Sequence, residues 1–255
     1  MNVAQMDFDS LFFPEESTVT PAKRMRRPEE ARREFLKVFS TTAHAHHRRD
    51  VFRDFVNLAA RELDLCRVRS PENIREAKAI CDRYRPEDMQ AVSTLFNLMV
   101  EAMGGPLDDF LGGVFMELEL GSDAMAQYFT PFHVSQLLAG LSYAREPAGN
   151  IVMLHEPSCG AGGMILAYAE QLETRGLNYQ EMLFAHCIDI DALAADMCFV
   201  QLSLRGIAAE VVTGNTLTLE AWQVRHTPVY HLGEWAKRLD QLKRLDRIKA
   251  LLQVA

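Results

Sequence analysis

The chain has 255 residues, of which 48% are hydrophobic, enough for a sizeable core in one large domain or in two unequal ones. It has no run of about 18 or more consecutive apolar residues and no apolar signal region near its N-terminus, so we expect a soluble, cytoplasmic protein without membrane contact. The five cysteines are an odd number without paired ligand spacing, which argues against a disulfide framework and against a metal site.

The net charge of −8 is unfavourable for binding phosphates, which proteins contact through Lys and Arg. Positive charge is nevertheless concentrated in the segment Lys23–Arg33, where six basic residues stand against Glu29 and Glu30. Two interpretations remain open for this segment. It is either a solvated arm that runs into a helix or an arm that contacts phosphates.

The first half of the chain is predicted to be helical. Residues 1–28 show no periodicity and are expected to form an extended or flexible tail. Residues 29–120 show apolar stripes with a period of 3.6 and are expected to form a helical N-terminal domain. Its first helix is predicted to begin at Pro28, because proline suits the first turn and acids follow it at the positive end of the helix dipole.

The second half alternates helical segments with short apolar runs, a pattern typical of a βαβαβ unit with a parallel sheet. The runs that suit buried strands are Ile151–Leu154, Leu183–Ile188 and Ala209–Thr213. A further short strand is predicted at Val229–Leu232. We therefore expect an α/β domain over residues 121–232, followed by an amphipathic helix over 233–255 that packs on the sheet or on a partner chain.

The segment Glu156–Gly163 is a glycine-rich turn between a predicted strand and a predicted helix. Gly160, Gly162 and Gly163 would leave it free of Cβ atoms, so a ligand could approach the backbone closely. In open parallel sheets, ligands bind at the carboxyl ends of the strands, where this turn is placed. A tight connection without any ligand is the alternative.

Three neighbouring segments sharpen the prediction. Tyr128–Pro131 precedes a predicted helix, so Thr130 and Pro131 can cap that helix near the same crevice. The second strand ends in Ile188–Asp191, where carboxylates could hold a ribose. The third ends in Thr213–Asn215, where an amide could contact an adenine edge. Together these segments predict a site for an adenosine-bearing ligand.

The order of four motifs then resembles a known family. The chain contains, in this order, QYFTPFHVSQLL, EPSCGAGGMILA, CIDIDALAADMCFVQLSLRGI and VVTGNTL. This order resembles the S-adenosylmethionine-binding core of adenine-specific DNA methyltransferases, above all the modification subunits of type I restriction systems and small methylase-like proteins of plasmids, phages and integrated elements. The resemblance covers roughly residues 107–217. It implies a Rossmann-like methyltransferase domain after a helical N-terminal domain, with DNA as a partner. A specificity or other protein subunit, or self-association through the C-terminal helix, is a further possible partnership.

The resemblance also implies roles for individual residues. Glu156 would hold the amino group of S-adenosylmethionine, Asn215 would contact the adenine amino group, and Asp189 would contact the ribose because Cys187 stands where the family usually has an acid. The complete set of expected cofactor-binding residues is Tyr128, Phe129, Thr130, Pro131, Glu156, Pro157, Cys159, Gly160, Gly162, Ile188, Asp189 and Asn215.

The family's base-holding motif, (Asp/Asn)-Pro-Pro-(Tyr/Phe), is missing from this sequence. In such enzymes the motif orients the amino group of a flipped adenine and stacks on its ring. The Pro-aromatic segment in the corresponding region is His226–Tyr230, and no catalytic residue is identified. Two functions therefore stay open, namely an adenine-specific DNA methyltransferase and a non-catalytic, cofactor-binding interaction or regulatory protein.

Overall fold

A computed structural model describes residues 26–118, 120, 129–142 and 151–253 of the chain. The helices of the first half are α1 (Pro28–Thr41), α2 (Arg48–Leu63), α3 (Pro71–Cys81), α4 (Pro86–Ala102), α5 (Phe110–Glu117) and α6 (Phe132–Ser142). The second half consists of β1 (Val152–Glu156), α7 (Gly163–Thr174), α8 (Tyr179–Met182), β2 (Leu183–Asp189), α9 (Ala192–Leu204), β3 (Ala208–Asn215), β4 (Glu220–His226), α10 (Pro228–Leu232) and α11 (Trp235–Gln253).

The helical first half is confirmed, and its packing follows from the apolar stripes. Helix α1 begins at Pro28, as predicted, with acids in its first turn. The stripes meet in an aromatic core, where the ring of Phe35 lies edge-on to Phe55 and Phe110 at centroid distances of 5.6 and 5.3 Å. Such edge-to-face contacts add to the free energy that burial of the rings contributes.

The described part of the basic segment forms ion pairs within the molecule. Arg26 pairs with Glu101, and Arg32 pairs with Glu117. These contacts tie the segment to helices α4 and α5, which agrees with an arm that runs into a helix. Lys23 and Arg24 lie outside the described residues.

The sheet has four strands in the order β1-β2-β3-β4. The first three strands are parallel, with Glu156 opposite Cys187 and Asp189 opposite Thr213, so their carboxyl ends lie along one edge. Strand β4 is antiparallel to β3 and forms a hairpin with it. The predicted α/β fold with a parallel βαβαβ unit is therefore confirmed.

Helices cover both faces of the sheet. Helices α7 and α9 cover one face, and their core is continuous with that of the first half because α9 also packs against α2. On the other face, α10 and α11 enclose a smaller core in which the ring of Trp235, fully buried, stacks on Phe184. The terminal helix thus packs on the sheet, one of the two arrangements expected from its sequence.

One strand prediction is wrong. Residues Val229–Leu232 belong to helix α10, which begins at Pro228 because proline is well suited to the first helical position. The fourth strand is instead β4, which precedes that proline. The sequence of β4 does not show the alternation of apolar and polar residues that predicts a strand. The reason is that β4 lies at the sheet edge, with most of its side chains exposed or half-buried.

Within the described residues, no helix has the length and apolar character needed to cross a membrane.

Candidate cofactor site

The glycine turn lies between β1 and α7 and depends on two glycines. Gly160 and Gly162 adopt φ angles of 53° and 97°, in the left-handed region that other residues rarely occupy. A Cβ atom on Gly160 would lie 3.0 Å from the ring of Phe129, and one on Gly162 would lie 3.2 Å from Sγ of Cys198. Both conformation and packing therefore require glycine at these positions.

Hydrogen bonds join the turn to the end of β2. The backbone N–H of Cys159 donates to the carbonyl of Ile188 over 2.9 Å, and that of Gly160 donates to Oδ2 of Asp189 over 2.8 Å. The other carboxylate oxygen of Asp189 accepts from the backbone N–H of Asp191 over 2.9 Å. The two strand ends named in the sequence prediction are thus held together by Asp189.

The charges around the turn distinguish between classes of ligand. Glu156 and Asp189 are half-buried, and burial raises the pKa of both carboxyl groups because it disfavours their charged forms. The turn N–H groups of Cys159, Gly160 and Gly162 already donate within the protein. A pyrophosphate would meet two carboxylates of like charge at this turn, whereas a ligand with an ammonium or sulfonium group would meet opposite charge.

The segment before α6 also reaches the turn. The ring of Phe129 packs edge-on against Phe115 at 5.1 Å, with the backbone of Gly160 beside it. Thr130 and Pro131 are exposed, and the carbonyl of Pro131 accepts from the backbone N–H of Val134 over 2.8 Å at the start of α6. Tyr128, also predicted at the site, lies outside the described residues.

The hairpin between β3 and β4 closes the remaining side of the site. Oδ1 of Asn215 accepts from the backbone N–H groups of Leu217 and Thr218 over 2.9 and 3.2 Å, so the amide nitrogen of Asn215 is the group that can contact a ligand. The hydroxyl of Thr216 donates to the carbonyl of Pro157 over 2.6 Å. This bond, which the sequence did not indicate, links the hairpin to the glycine turn across the end of β2.

Position 187 does not face this edge. The Cys187 side chain is fully buried in the same core cluster as Cys159 and Cys198. A side chain at this position points beneath the turn. The geometry therefore favours Asp189, at the strand end, for contact with a ligand.

Sequence reasoning missed a buried network that supports the turn from below. Nε2 of Gln201 donates to Oδ1 of Asp109 over 2.7 Å and to the carbonyl of Ala161 over 2.8 Å, while its Oε1 accepts from the backbone N–H of Leu111 over 3.0 Å. Asp109 also accepts from the N–H of Gly112 and caps α5. A glutamine inside a predominantly apolar helix was the signal that could have revealed this network.

The Pro-aromatic segment lies at the opposite edge of the sheet. Thr227 is fully buried, and its hydroxyl donates to the carbonyl of Ile207 over 2.8 Å and accepts from the N–H of Ala209 over 2.9 Å. These partners stand at the amino end of β3, whereas the glycine turn stands at the carboxyl end of β1. The segment His226–Tyr230 is therefore remote from the site that a methyl donor would occupy.

An acid-lined glycine turn at the carboxyl ends of parallel strands, with helices on both sheet faces, defines a Rossmann-like domain of the methyltransferase class. Residues 118–242 match the family model described as N-6 DNA methylase. The match to this model, together with the order of motifs in the sequence, supports an N6-adenine DNA methyltransferase-like family for the chain.

Two solved structures are similar to the chain. One is a candidate class I S-adenosylmethionine-dependent methyltransferase from Listeria monocytogenes, with 18% identity, a TM-score of 0.42 and coverage of 71% of this chain and 52% of that one. The other is the methyltransferase subunit of a type I restriction-modification system from Streptococcus thermophilus, with 12% identity, a TM-score of 0.38 and coverage of 71% and 57%. The chain thus spans little more than half the length of either protein. Comparison with proteins of curated function gave no match.

Proposed function

We propose that the chain binds S-adenosylmethionine at the glycine turn and acts in adenine modification of DNA, in a restriction-modification context. The observation that carries this proposal is the hydrogen bond from Gly160 to Asp189, beside the carboxylate of Glu156. This arrangement provides a close backbone approach and negative charge at one place. It suits a cationic nucleoside better than a dinucleotide.

In this proposal, different residues of the site contact different parts of the cofactor. Glu156 holds the ammonium group, and Thr130 and Pro131 contact the same methionine end. Asp189 accepts from the ribose hydroxyls, while Ile188 and Asn215 contact the adenine. When bound, the cofactor supplies an electrophilic methyl group, and the carboxylates contribute binding and orientation.

Methyl transfer requires a second set of groups that this sequence lacks. Without the base-holding motif, no acceptor orients the target nitrogen or stabilises the positive charge that develops on it. The remote position of Thr227 also excludes the segment around it as a local substitute. We therefore propose that the isolated chain binds the cofactor but methylates DNA weakly or not at all, with a partner subunit supplying the missing groups.

The second candidate is a non-catalytic member of the family that uses its cofactor-binding fold for interaction or regulation. The missing motif favours this candidate. The two candidates predict different results when a partner subunit is added: the partner restores methyl transfer to a methyltransferase but not to a non-catalytic protein.

Calorimetric titration with S-adenosylmethionine and with its demethylated product tests the binding proposal. Both should bind the wild-type chain, whereas Gly160→Ala should weaken binding because its Cβ would displace the Phe129 ring. Gly176→Ala is the matched control, since Gly176 also has a positive φ angle but has open space around it. Failure of both ligands to bind at millimolar concentration would refute the site.

Transfer of labelled methyl groups to plasmid DNA tests catalysis. The isolated chain should give little incorporation, and a cognate DNA-specificity subunit should raise it if the first candidate holds. Robust incorporation by the chain alone, abolished by Gly160→Trp, would show that another group replaces the missing motif.

A further inference from the structure

A polar cavity of about 580 Å³ lies beside the candidate cofactor site, between the helical first half and β4. This volume is within the range of pockets that hold small molecules, about 300 to 1,000 Å³. Its lining residues come from α2, the α2–α3 connection, α3, α9 and β4, and the polar ones include Asn57, Arg61, Asp64, Asp196, Gln223 and Arg225.

The cavity is close to the carboxyl edge of the sheet. It is lined by Ala192, the first residue of α9, and by Gln223, which pairs with Thr213 in β3. Because β2 separates β1 from β3, the cavity flanks the side of the site opposite the glycine turn. It is therefore distinct from the predicted position of the methionine end.

Two of the three arginines that line the cavity are paired within the protein. The guanidinium of Arg225 pairs with the carboxylate of Asp196, which also accepts from Nδ2 of Asn57 over 2.8 Å. Arg61 pairs with Glu76 over 2.8 Å. Since these two cations are neutralised from within, and the third arginine, Arg67, is exposed to solvent that screens its charge, a free phosphate gains little there. A neutral ligand with donors and acceptors fits better.

An exposed aromatic ring completes the cavity. Trp222 lies at a bulge in the β3–β4 ladder, lines the cavity and is 58% exposed, whereas Trp235 is fully buried. The Oε1 atom of Gln223 accepts from Arg225 over 2.8 Å, which turns its amide N–H groups towards other acceptors. An exposed aromatic ring beside an amide is the combination by which proteins stack and read unpaired bases.

We propose that this cavity binds a nucleobase, which stacks on Trp222 and meets Gln223 with its polar edge. The base comes either from a free nucleoside or from an unpaired nucleotide of a single strand. The proposal that the base belongs to a single strand rests on the proposed function in DNA modification. The site itself rests on the cavity, the paired charges and the exposed ring.

Intrinsic fluorescence provides a direct test, because Trp222 is exposed and Trp235 contributes a constant, buried background. Adenosine and a short deoxyadenosine oligonucleotide are titrated separately into the full chain saturated with the demethylated product of S-adenosylmethionine, which occupies the adenosine position of the cofactor site. Inorganic phosphate is the third ligand. Saturable quenching by adenosine identifies a free nucleoside as sufficient, and quenching by the oligonucleotide alone assigns the site to single strands. Phosphate should leave the emission unchanged.

Variants measured by calorimetry separate stacking from general effects. Trp222→Phe should keep the affinity, Trp222→Ala should lower it at least tenfold, and Gln223→Leu should lower it at least threefold. Leu217→Ala, at an exposed position of the same hairpin, is the matched control and should bind normally. Circular dichroism verifies that each variant is folded.

Two results would overturn the proposal: no saturable binding of either nucleobase ligand at millimolar concentration, or binding that Trp222→Ala leaves unchanged. The variant Gly160→Trp should retain nucleobase binding while it loses S-adenosylmethionine. The nucleobase proposal and the cofactor proposal can thus be refuted independently, the first by nucleobase binding and the second by S-adenosylmethionine binding.

Discussion

The backbone N–H of Gly160 donates to the carboxylate of Asp189 over 2.8 Å, so the glycine turn after β1 is held by the last residue of β2. The same carboxylate is half-buried, and burial raises its pKa. One side chain therefore shapes the turn and places negative charge where a ribose is predicted. The two roles can be separated by mutation.

Replacement of Asp189 should weaken cofactor binding in two steps. Asp189→Asn keeps an oxygen acceptor for Gly160 but removes the charge, whereas Asp189→Ala removes both. A hydrogen bond to a charged group contributes about 1.5 to 3 kcal/mol, so we expect about a tenfold or greater rise in Kd for the alanine variant and a smaller rise for asparagine. Calorimetry measures both, with the exposed Asp82→Asn as control. Equal affinity of all variants would contradict the predicted ribose contact.

Gln201→Leu should destabilise the whole fold. The substitution leaves Asp109, the Ala161 carbonyl and the Leu111 N–H buried without their partner, and each such group costs about 1 to 3 kcal/mol. We expect the free energy of unfolding to fall by at least about 2 kcal/mol in urea denaturation. The exposed Gln90→Leu should change it by less than about 0.5 kcal/mol. Comparable values for the two variants would argue against the network.

Trp235→Ala should show that the terminal helix contributes to the sheet core. Its ring is fully buried on Phe184, and the guanidinium of Arg238 lies 3.9 Å from its centroid. Truncation of a buried aromatic ring costs about 3 to 5 kcal/mol. Trp222→Ala, at the exposed tryptophan, should have a much smaller effect in the same denaturation experiment. A stability loss confined to Trp222 would refute this packing.

The ion pairs of Glu210 should make stability depend on pH. Its carboxylate contacts Nε2 of His186 over 3.1 Å and Nε2 of His226 over 2.9 Å. These hydrogen bonds hold the pKa of Glu210 well below its ordinary 4.5, and the bond to Glu210 raises the pKa of His186 above 6.5. The carboxylate contribution is complete above 4.5 and is lost as pH falls through the lowered pKa. The imidazolium contribution is complete below 6.5 and is lost as pH rises through the raised pKa.

The difference in unfolding free energy between wild type and Glu210→Gln should therefore be largest between about pH 4.5 and 6.5 and smaller near pH 9. Urea denaturation at about pH 5.5 and 9 measures it. Glu34→Gln, at an exposed carboxylate on α1, should show no such trend. A difference of the same size at both pH values would show that the pKa of His186 is not coupled to Glu210.

Local signals in the sequence predicted the elements well where neighbouring residues alone fix the local backbone conformation. Pro28 and its following acids mark the start of α1, and the Ser70 hydroxyl caps α3 through the N–H of Asn73. Gly160 and Gly162 also permit the positive φ angles that the turn requires. Such features depend on a few neighbouring residues and are therefore readable without the fold.

Elements at the sheet edge were less predictable. The side chains of β4 are mostly exposed, so burial imposes little alternation on its sequence, and the apolar residues around Val229 were assigned to a strand although Pro228 starts a helix. The pairing of β4 with β3 depends on a hairpin whose turn is shaped by Asn215.

The sequence by itself determined the glycine turn, the order of parallel strands and helices, and the absence of a base-holding motif, because each depends on residue type and spacing. Only the tertiary structure decided that the carboxylate of Asp189 accepts from the N–H of Gly160, that Gln201 joins the turn to α5, and that Trp222 lines a cavity. These relations connect residues far apart in the chain, and their distances are set by packing of the sheet against the helices.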